Sequence, residues 1–346
     1  MIEIVFEIGK NFVTTKKEQP TEVLLKEVRK LIDSAKDCGA KIVKFQVHSV
    51  EDEIHPNINI TSPHFDQDRY TWVKRNSYNA EFWWAVKAYC QAVGVEFLAT
   101  PMSRGAAELL NEEVGVERWK IGSGDILDFP MLDYIRDTGR PIILSSGMST
   151  LEELRMSYEY LKEKTDDITI LHCVSQYPCP RERLNLNTIP FLKKEFPEAR
   201  IGFSDHSNDP ISAPIAVALG AEIVEKHFTL DKNAWGPDHI TSIDSEQMKW
   251  MVDKINRTSE NKFKPYKFEV ILGKEGKFIN GVEETFRPIF RKGLYAAYDI
   301  KKNQMFESEM LMSLRPQDVN AEPSWKYPEF LGTFADRDFK KYEAIT

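Results

Sequence analysis

"AEIVEKHFTL", residues 221–230, is a short apolar run that closes on three ionisable residues, Glu225, Lys226 and His227. Ionisable side chains in a buried strand need partners, because an unpaired buried charge is costly. Strand side chains alternate, so Glu225 and His227 share one face and Lys226 takes the other. In a parallel barrel the C-terminal strand ends gather on one face, where sites form. Glu225 and His227 then face the site, and Lys226 is predicted to find an ion pair beneath the helices.

The rest of the chain supports that reading. β-Branched runs recur at 2–8, 41–47, 95–100, 117–123, 141–146, 168–173, 200–205 and 222–227. Helical patterns lie between them, at 21–36, 79–92, 104–113, 129–138, 150–164, 187–195 and 209–219, and one at 244–257 follows the last. Alternation of this kind predicts a parallel sheet. Eight such units over about 255 residues match a closed (β/α)8 TIM barrel. The alternative, a doubly wound open sheet, usually carries a Gly-rich phosphate turn after its first strand, and "EIGKNF" is not GxGxxG. The barrel is expected over 1–262 and a linker over 263–283. After this α/β barrel, a small C-terminal unit of extended pieces and turns is expected over 284–346, marginal in stability without packing on a barrel.

Composition narrows the classes. The chain has 346 residues, 42% hydrophobic, with a net charge of −8. That balance argues against a general nucleic-acid or membrane binder. The four cysteines show no paired spacing and suit a reducing, cytoplasmic setting. The N-terminal run "MIEIVFEIGKNF" carries acids and reads as neither signal nor transit peptide.

Polar residues cluster at the strand ends: Glu7, Lys44 with Gln46, Thr100, Lys120 with Ser123 and Asp125, Ser145 with Ser146, His172 with Ser175 and Tyr177, Ser204 with Asp205 and His206, Glu225 with His227. His206 and His227 close neighbouring strands, and two imidazoles completed by water and carboxylate oxygens suit Mn²⁺, Mg²⁺ or Zn²⁺. Glu7, Glu225 and Asp238 are the candidate neighbours. Lys44 and Lys120 sit inside otherwise apolar strands and are predicted to point into one bowl, as compact charges for phosphate or carboxylate oxygens. "GSGD" (122–125) and "SSGMST" (145–150) supply small backbone that can approach an anion. Cys173, Met148 and Trp72, Trp83 and Trp84 read as core or interface, and His55 and His64 as solvated.

These motifs resemble the sialic acid synthase family, N-acetylneuraminate synthase with its legionaminic and pseudaminic relatives. The matching pieces occur in family order: "FEIGKN" (6–11), "VKFQ" (43–46), "FLATPMS" (97–103), "KIGSGD" (120–125), "PIILSSGMSTLEEL" (141–154), "LHCVSQYP" (171–178), "IGFSDHS" (201–207), "GAEIVEKHFT" (220–229) and "GPDH" (236–239). The tail "RKGLYAAYDIKKNQMFESEMLMSLRP" (291–316) resembles the family's antifreeze-like (SAF) domain. The resemblance implies condensation of phosphoenolpyruvate with an open-chain N-acylated hexosamine to a nonulosonic acid and phosphate, with C–O cleavage. It implies a divalent metal, Mn²⁺ first and Mg²⁺ second, on His206 and His227. Lys44, Lys120, Ser145 and Ser204 would hold phosphoenolpyruvate, and Asp125 would stand beside the reacting carbons as acid or base. Glu7, Tyr177, Glu225 and Asp238 would contact the sugar or metal-bound water, with Gln46, Ser123 and Ser175 as further substrate contacts. Arg315 would reach the N-acyl group from a C-terminal domain exchanged between the subunits of a homodimer.

Four stretches depart from the family pattern: "KNFVTT" after "EIG", Asp125 where many members have glutamate, "QDVNAEPSW" after "RP", and the insertion 64–79. All are expected where the sugar binds, so the acceptor stays open. The other readings are a related keto-deoxy sugar acid synthase, a metal-dependent aldolase, and a non-catalytic sugar-phosphate binding protein.

Overall fold

The computed structural model describes residues 2–58, 68–259 and 269–346; His64 lies outside them. Eight parallel strands form the sheet: β1 (Glu3–Gly9), β2 (Ile42–Val47), β3 (Glu96–Pro101), β4 (Trp119–Ile121), β5 (Ile142–Ser145), β6 (Ile168–Cys173), β7 (Arg200–Asp205) and β8 (Ile223–His227). Their order is β3-β2-β1-β8-β7-β6-β5-β4, and β4 lies beside β3, so the ring is nearly closed. The helices around it are α1 (Thr21–Asp37), α2 (Arg69–Arg75), α3 (Ala80–Val93), α4 (Arg104–Leu109), α5 (Phe129–Asp137), α6 (Leu151–Lys162), α7 (Thr188–Glu195), α8 (Ser212–Ala218) and α9 (Ser245–Ser259). Among the described residues no helix is long and apolar enough to cross a membrane.

Local signals explain the ends. Thr150 and Glu153 close a capping box on α6, Asn79 caps α3, and Gly94 ends it with φ +76°. The helix expected over 104–113 is α-helical only to Leu109. Leu110–Val114 form a π turn that Gly115 ends at φ +77°. The helix expected from residue 209 starts at Ser212, because the Asp209 carboxylate takes the Ile211 amide into a turn (3.1 Å).

The barrel interior is built in layers. Val5, Ile42, Leu98, Ile143, Leu171 and Ile223 form one closed apolar cluster inside the ring. Each fully buried aliphatic side chain contributes roughly 1.5–3 kcal/mol. Two residues further along each of those strands stand Glu7, Lys44, Thr100, Ser145, Cys173 and Glu225, the next inward positions. A plug of hydrocarbon thus becomes the floor of a polar cup. Gly202 belongs to the same interior, where a Cβ would stand 2.5 Å from the Ile223 carbonyl and from Leu171 Cδ2.

The outward residues run under the helices, and Lys226 is one of them. Its Nζ lies 2.8 Å from Asp205 Oδ2, both side chains fully buried. Ser207 and the Asp209 carbonyl (3.4 Å) accept its remaining hydrogen bonds. This is the outer ion pair expected from the alternation. Lys226→Met keeps the volume and strands the Asp205 carboxylate. The expected loss is about 3–5 kcal/mol, read as a lower urea midpoint, with Asp205→Asn on the same background returning part of it.

Beyond α9 come α10 (Glu269–Leu272), α11 (Gly281–Phe290), β9 (Gly293–Ala296), β10 (Leu311–Leu314) and α12 (Tyr327–Phe330). The described part of the expected linker is docked: the Leu186 and Asn187 amides donate to the α10 carbonyls of Ile271 and Leu272 (3.1 and 2.9 Å). β9 and β10 pair antiparallel, and bridges from 295, 300 and 305 to 344, 339 and 334 tie in the tail. Leu294, Ile300, Met310 and Phe339 continue the main apolar core. Lys292 joins the two units through Asp128 (2.6 Å) and Asp125 (3.0 Å). His55, read as solvated, is buried here instead, its ring 4.9 Å from Tyr295 and its Nε2 3.1 Å from the Tyr342 carbonyl. A polar segment looked solvent-facing only because the unit that covers it lies 240 residues later.

Candidate active site

All fifteen residues expected at the site line one cavity at the C-terminal mouth of the barrel: Glu7, Lys44, Gln46, Lys120, Ser123, Asp125, Ser145, Ser175, Tyr177, Ser204, His206, Glu225, His227, Asp238 and Arg315. His172 and Asp205, also at strand ends, do not. His172 is an outward residue, stacked on Phe203 and bonded to the Leu184 carbonyl at 2.7 Å.

Charge organises the floor. Glu225 sits between two lysines, Oε1 3.6 Å from Lys44 Nζ and Oε2 3.7 Å from Lys120 Nζ. Lys44 also meets Glu7 (2.8 Å) and Thr100 Oγ1 (3.1 Å), and Lys120 donates to Ser145 Oγ (2.7 Å). Burial works against the Glu225 carboxylate, yet Lys120, Lys44 and His206 outweigh it and hold the group below the usual carboxylate range. Glu7 is pushed up, by burial and by the Glu225 charge. Burial lowers Lys120, with Lys44 adding to it, while Glu225 and Glu7 keep Lys44 above its ordinary value despite burial. An anion with several charges entering beside the lysines would stabilise both ammonium groups.

The two imidazoles stand above this floor, at the ends of β7 and β8. Their ring centres are 5.5 Å apart, and Tyr177 lies 4.1 Å from His206. His206 Nδ1 lies 2.8 Å from the Val174 carbonyl, which places a proton there and makes Nε2 the nitrogen that would offer a lone pair once a cation displaces its proton. His227 Nδ1 is buried with no hydrogen-bond partner. His206 is pushed up to about 9, the Cys173 sulfur and the Val174 carbonyl overcoming burial, and His227 is pushed well down by burial and the His206 charge. Among the described residues no three His, Cys, Asp or Glu side chains converge into a cage. The donor set fits an open two-imidazole site whose other ligands are water or substrate oxygens.

Asp125 marks the outer end. Its Oδ1 takes Arg315 Nη2 and, at 3.0 Å, Lys292 Nζ, and its Oδ2 is buried without a partner. Burial, with Asp128 and Glu53, pushes it up against the pull of Arg315 and Lys292. Asp238 is pushed up to about 6 by burial and by Glu7. Gly9, at φ +54°, clears this corner, where a Cβ would lie 3.1 Å from Glu7 and 3.4 Å from Asp238.

Several expectations are corrected. Cys173, Met148 and Trp72 line the cup; Trp83 is core as expected, and Trp84 is 62% exposed. Within the single chain, Arg315 meets Asp125 at the rim of the cup. Three of the four departing stretches do reach the cup, through Lys10, Asp125, and Arg69 with Trp72 and Val73 of α2. The fourth, 317–325, does not. It seats the C-terminal unit, Ser324 donating to the Leu127 carbonyl at 2.6 Å. Lys10, Arg69, His48, Phe286 and Phe290 were missed. Lys10 stood next to the quoted "EIG" motif, which was signal enough. Arg69 lies 4.6 Å from the Phe290 ring, a contact between segments that no local pattern reveals.

A barrel with paired lysines and paired imidazoles at its mouth defines a small-molecule enzyme that handles a polyanion. Residues 31–264 match the NeuB family. The chain is 33% identical to N,N'-diacetyllegionaminic acid synthase of Campylobacter jejuni, over 92% of this chain and 93% of that one. The solved spore coat polysaccharide biosynthesis protein spsE of Bacillus subtilis superposes with a TM-score of 0.81 at 31% identity, covering 100% of this chain and 94% of that one. The N-acetylneuraminic acid synthetase of Leptospira borgpetersenii serovar Hardjo-bovis, solved with citrate, gives 0.65 at 29% identity over 82% and 89%. The chain belongs to the NeuB family.

Proposed function

We propose that this protein condenses phosphoenolpyruvate with the open-chain aldehyde of an N-acylated hexosamine, giving a nonulosonic acid and phosphate. The observation that carries the reading is the pairing of Lys44 and Lys120 around Glu225 on the cup floor, within one cavity that also holds His206 and His227. The family and the named relatives support the same chemistry.

The lysines, with Ser145 and Ser204, would neutralise and orient the carboxylate and phosphate of the donor in a site shielded from water. Carbon 3 of the enol then attacks the aldehyde carbon, water adds at carbon 2, and phosphate leaves with C–O cleavage. A divalent cation on His206 and His227 would supply Lewis-acid polarisation of the aldehyde oxygen. Asp125, whose Oδ2 is held without a partner beside Arg315, would exchange a proton with the reacting centre. Tyr177, Gln46 and Asp238 border the space for the polyol chain, and Arg315 Nη1, also unpartnered, is available to the N-acyl oxygen.

The C-terminal unit, antifreeze-like by its sequence, acts as a lid. In a homodimer that exchanges these units, the same lid would be contributed by the partner. Four buried free cysteines suit a cytoplasmic enzyme.

The deciding experiment is phosphate release from phosphoenolpyruvate against a panel of N-acylated hexosamines, with Mn²⁺, Mg²⁺ or EDTA. Release is expected only with an acceptor present, and EDTA is expected to abolish it until Mn²⁺ is returned. Turnover with free pyruvate would identify an aldolase, and binding without release a non-catalytic protein; either ends this reading.

A further inference from the structure

The loop after β5 carries one side chain in a backbone conformation that L residues avoid, Met148 at φ +54°. Such a residue persists where its surroundings over-determine it. Here they come from α11, more than 130 residues away. Glu283, in the first turn of α11 and 1% exposed, accepts from the Met148 amide (2.9 Å) and the Ser175 amide (2.8 Å) through the same oxygen. Its other oxygen closes the α11 capping box on the Asn280 amide (3.2 Å). The Met148 carbonyl accepts from Arg287 (2.6 Å) and Arg291 (2.7 Å), and Glu153 holds both guanidiniums. The amide and the carbonyl of one strained residue are therefore both gripped by one helix. That residue sits between two walls of the cup: the Gly147 amide donates to Ser123 Oγ (3.0 Å), and a Cβ on Gly147 would strike Ser123 and Ser175.

We propose that Glu283 is a positioning residue, and that docking of α11 on Met148 assembles the small hydroxyl-and-amide wall of Ser123, Ser145, Gly147 and Ser175 that receives the donor's anionic groups. Occupancy by the lid helix and affinity for the donor are then coupled. This rests on the reading that the cup binds phosphoenolpyruvate.

The test uses the full chain with Glu283→Ala, Glu283→Gln and Met148→Gly. Glu283→Ala is expected to raise hydrogen exchange at residues 145–150 and 173–177 by about tenfold or more. It is expected to raise KM for phosphoenolpyruvate by about tenfold and to leave KM for the sugar within about twofold. Met148→Gly, which accepts a positive φ without support, is expected to return most of the donor KM in the Glu283→Ala background. Glu283→Gln keeps an acceptor oxygen for both amides and is expected to lie near the wild type, which guards against an alanine variant that folds poorly. Unchanged exchange in both loops overturns the clamp, as does a donor KM that Met148→Gly does not improve. If the wild type releases no phosphate, the functional reading fails, and hydrogen exchange still decides the clamp.

Discussion

His206→Ala is expected to cut phosphate release by about a thousandfold, roughly 4 kcal/mol of barrier, while the far-UV spectrum and melting temperature stay near those of the wild type. The ring lines the cup, its Nδ1 held by the Val174 carbonyl and, more weakly, by Cys173 Sγ, so its removal takes little support from the barrel. What it removes is one of two imidazoles available to a cation. The gain in melting temperature on adding Mn²⁺ to the wild type is therefore expected to vanish in the variant. An unchanged Mn²⁺ response would move the metal away from this pair. The same variant settles where the lid comes from. Arg315→Ala is expected to be nearly inactive, because the buried Asp125 then keeps only Lys292 of its two cationic partners and the guanidinium is gone from the cup. Subunits of the two variants, mixed and allowed to exchange, would regain activity only if lids are shared between barrels, since one of the two sites would then combine an intact His206 with an intact Arg315. If each lid covers its own barrel, every site keeps one lesion and mixing restores nothing.

Lys120→Met is the second large effect. The substitution keeps the length of the side chain and deletes its charge, and kcat/KM for phosphoenolpyruvate is expected to fall by about 10²–10³. The reason is the charge balance of the floor. Two buried carboxylates, Glu7 and Glu225, face two buried ammonium groups, and Lys120 is the one whose burial is less well offset. Without it, Lys44 alone answers both carboxylates, and an incoming polyanion meets net negative charge in a low-dielectric cup. The sugar KM is expected to change little. An equal rise in both KM values would show that the lysine holds the cup's shape rather than the donor.

The barrel was legible because its interior follows a period of two. Val5 and Glu7, Ile42 and Lys44, Ile223 and Glu225 are successive inward positions, and the switch from aliphatic to charged within each pair marks where core ends and cup begins. The same alternation sent Lys226 outward to Asp205. The outer wall was less legible. Lys10 and Arg69 drew no attention in the sequence, since lysine and arginine are usually exposed. Their burial is created by α3 beneath Lys10, whose Nζ lies 5.5 Å from the Trp83 ring, and by Phe290 over Arg69. Met148 and Glu283 carry no local mark of their pairing, because a left-handed methionine and the glutamate that holds it are separated by seven barrel elements, α6 to α9.

The amino-acid order alone determined the strand and helix alternation, the inward and outward faces, and the residues of the cup floor, because a strand's side-chain direction depends only on parity along the chain. Only the tertiary structure decided which charges are neutralised by which, that Arg315 meets Asp125, and that one helix grips the loop at Met148. Those depend on closure of the ring and on the seating of the C-terminal unit, which bring together groups that no local interaction relates.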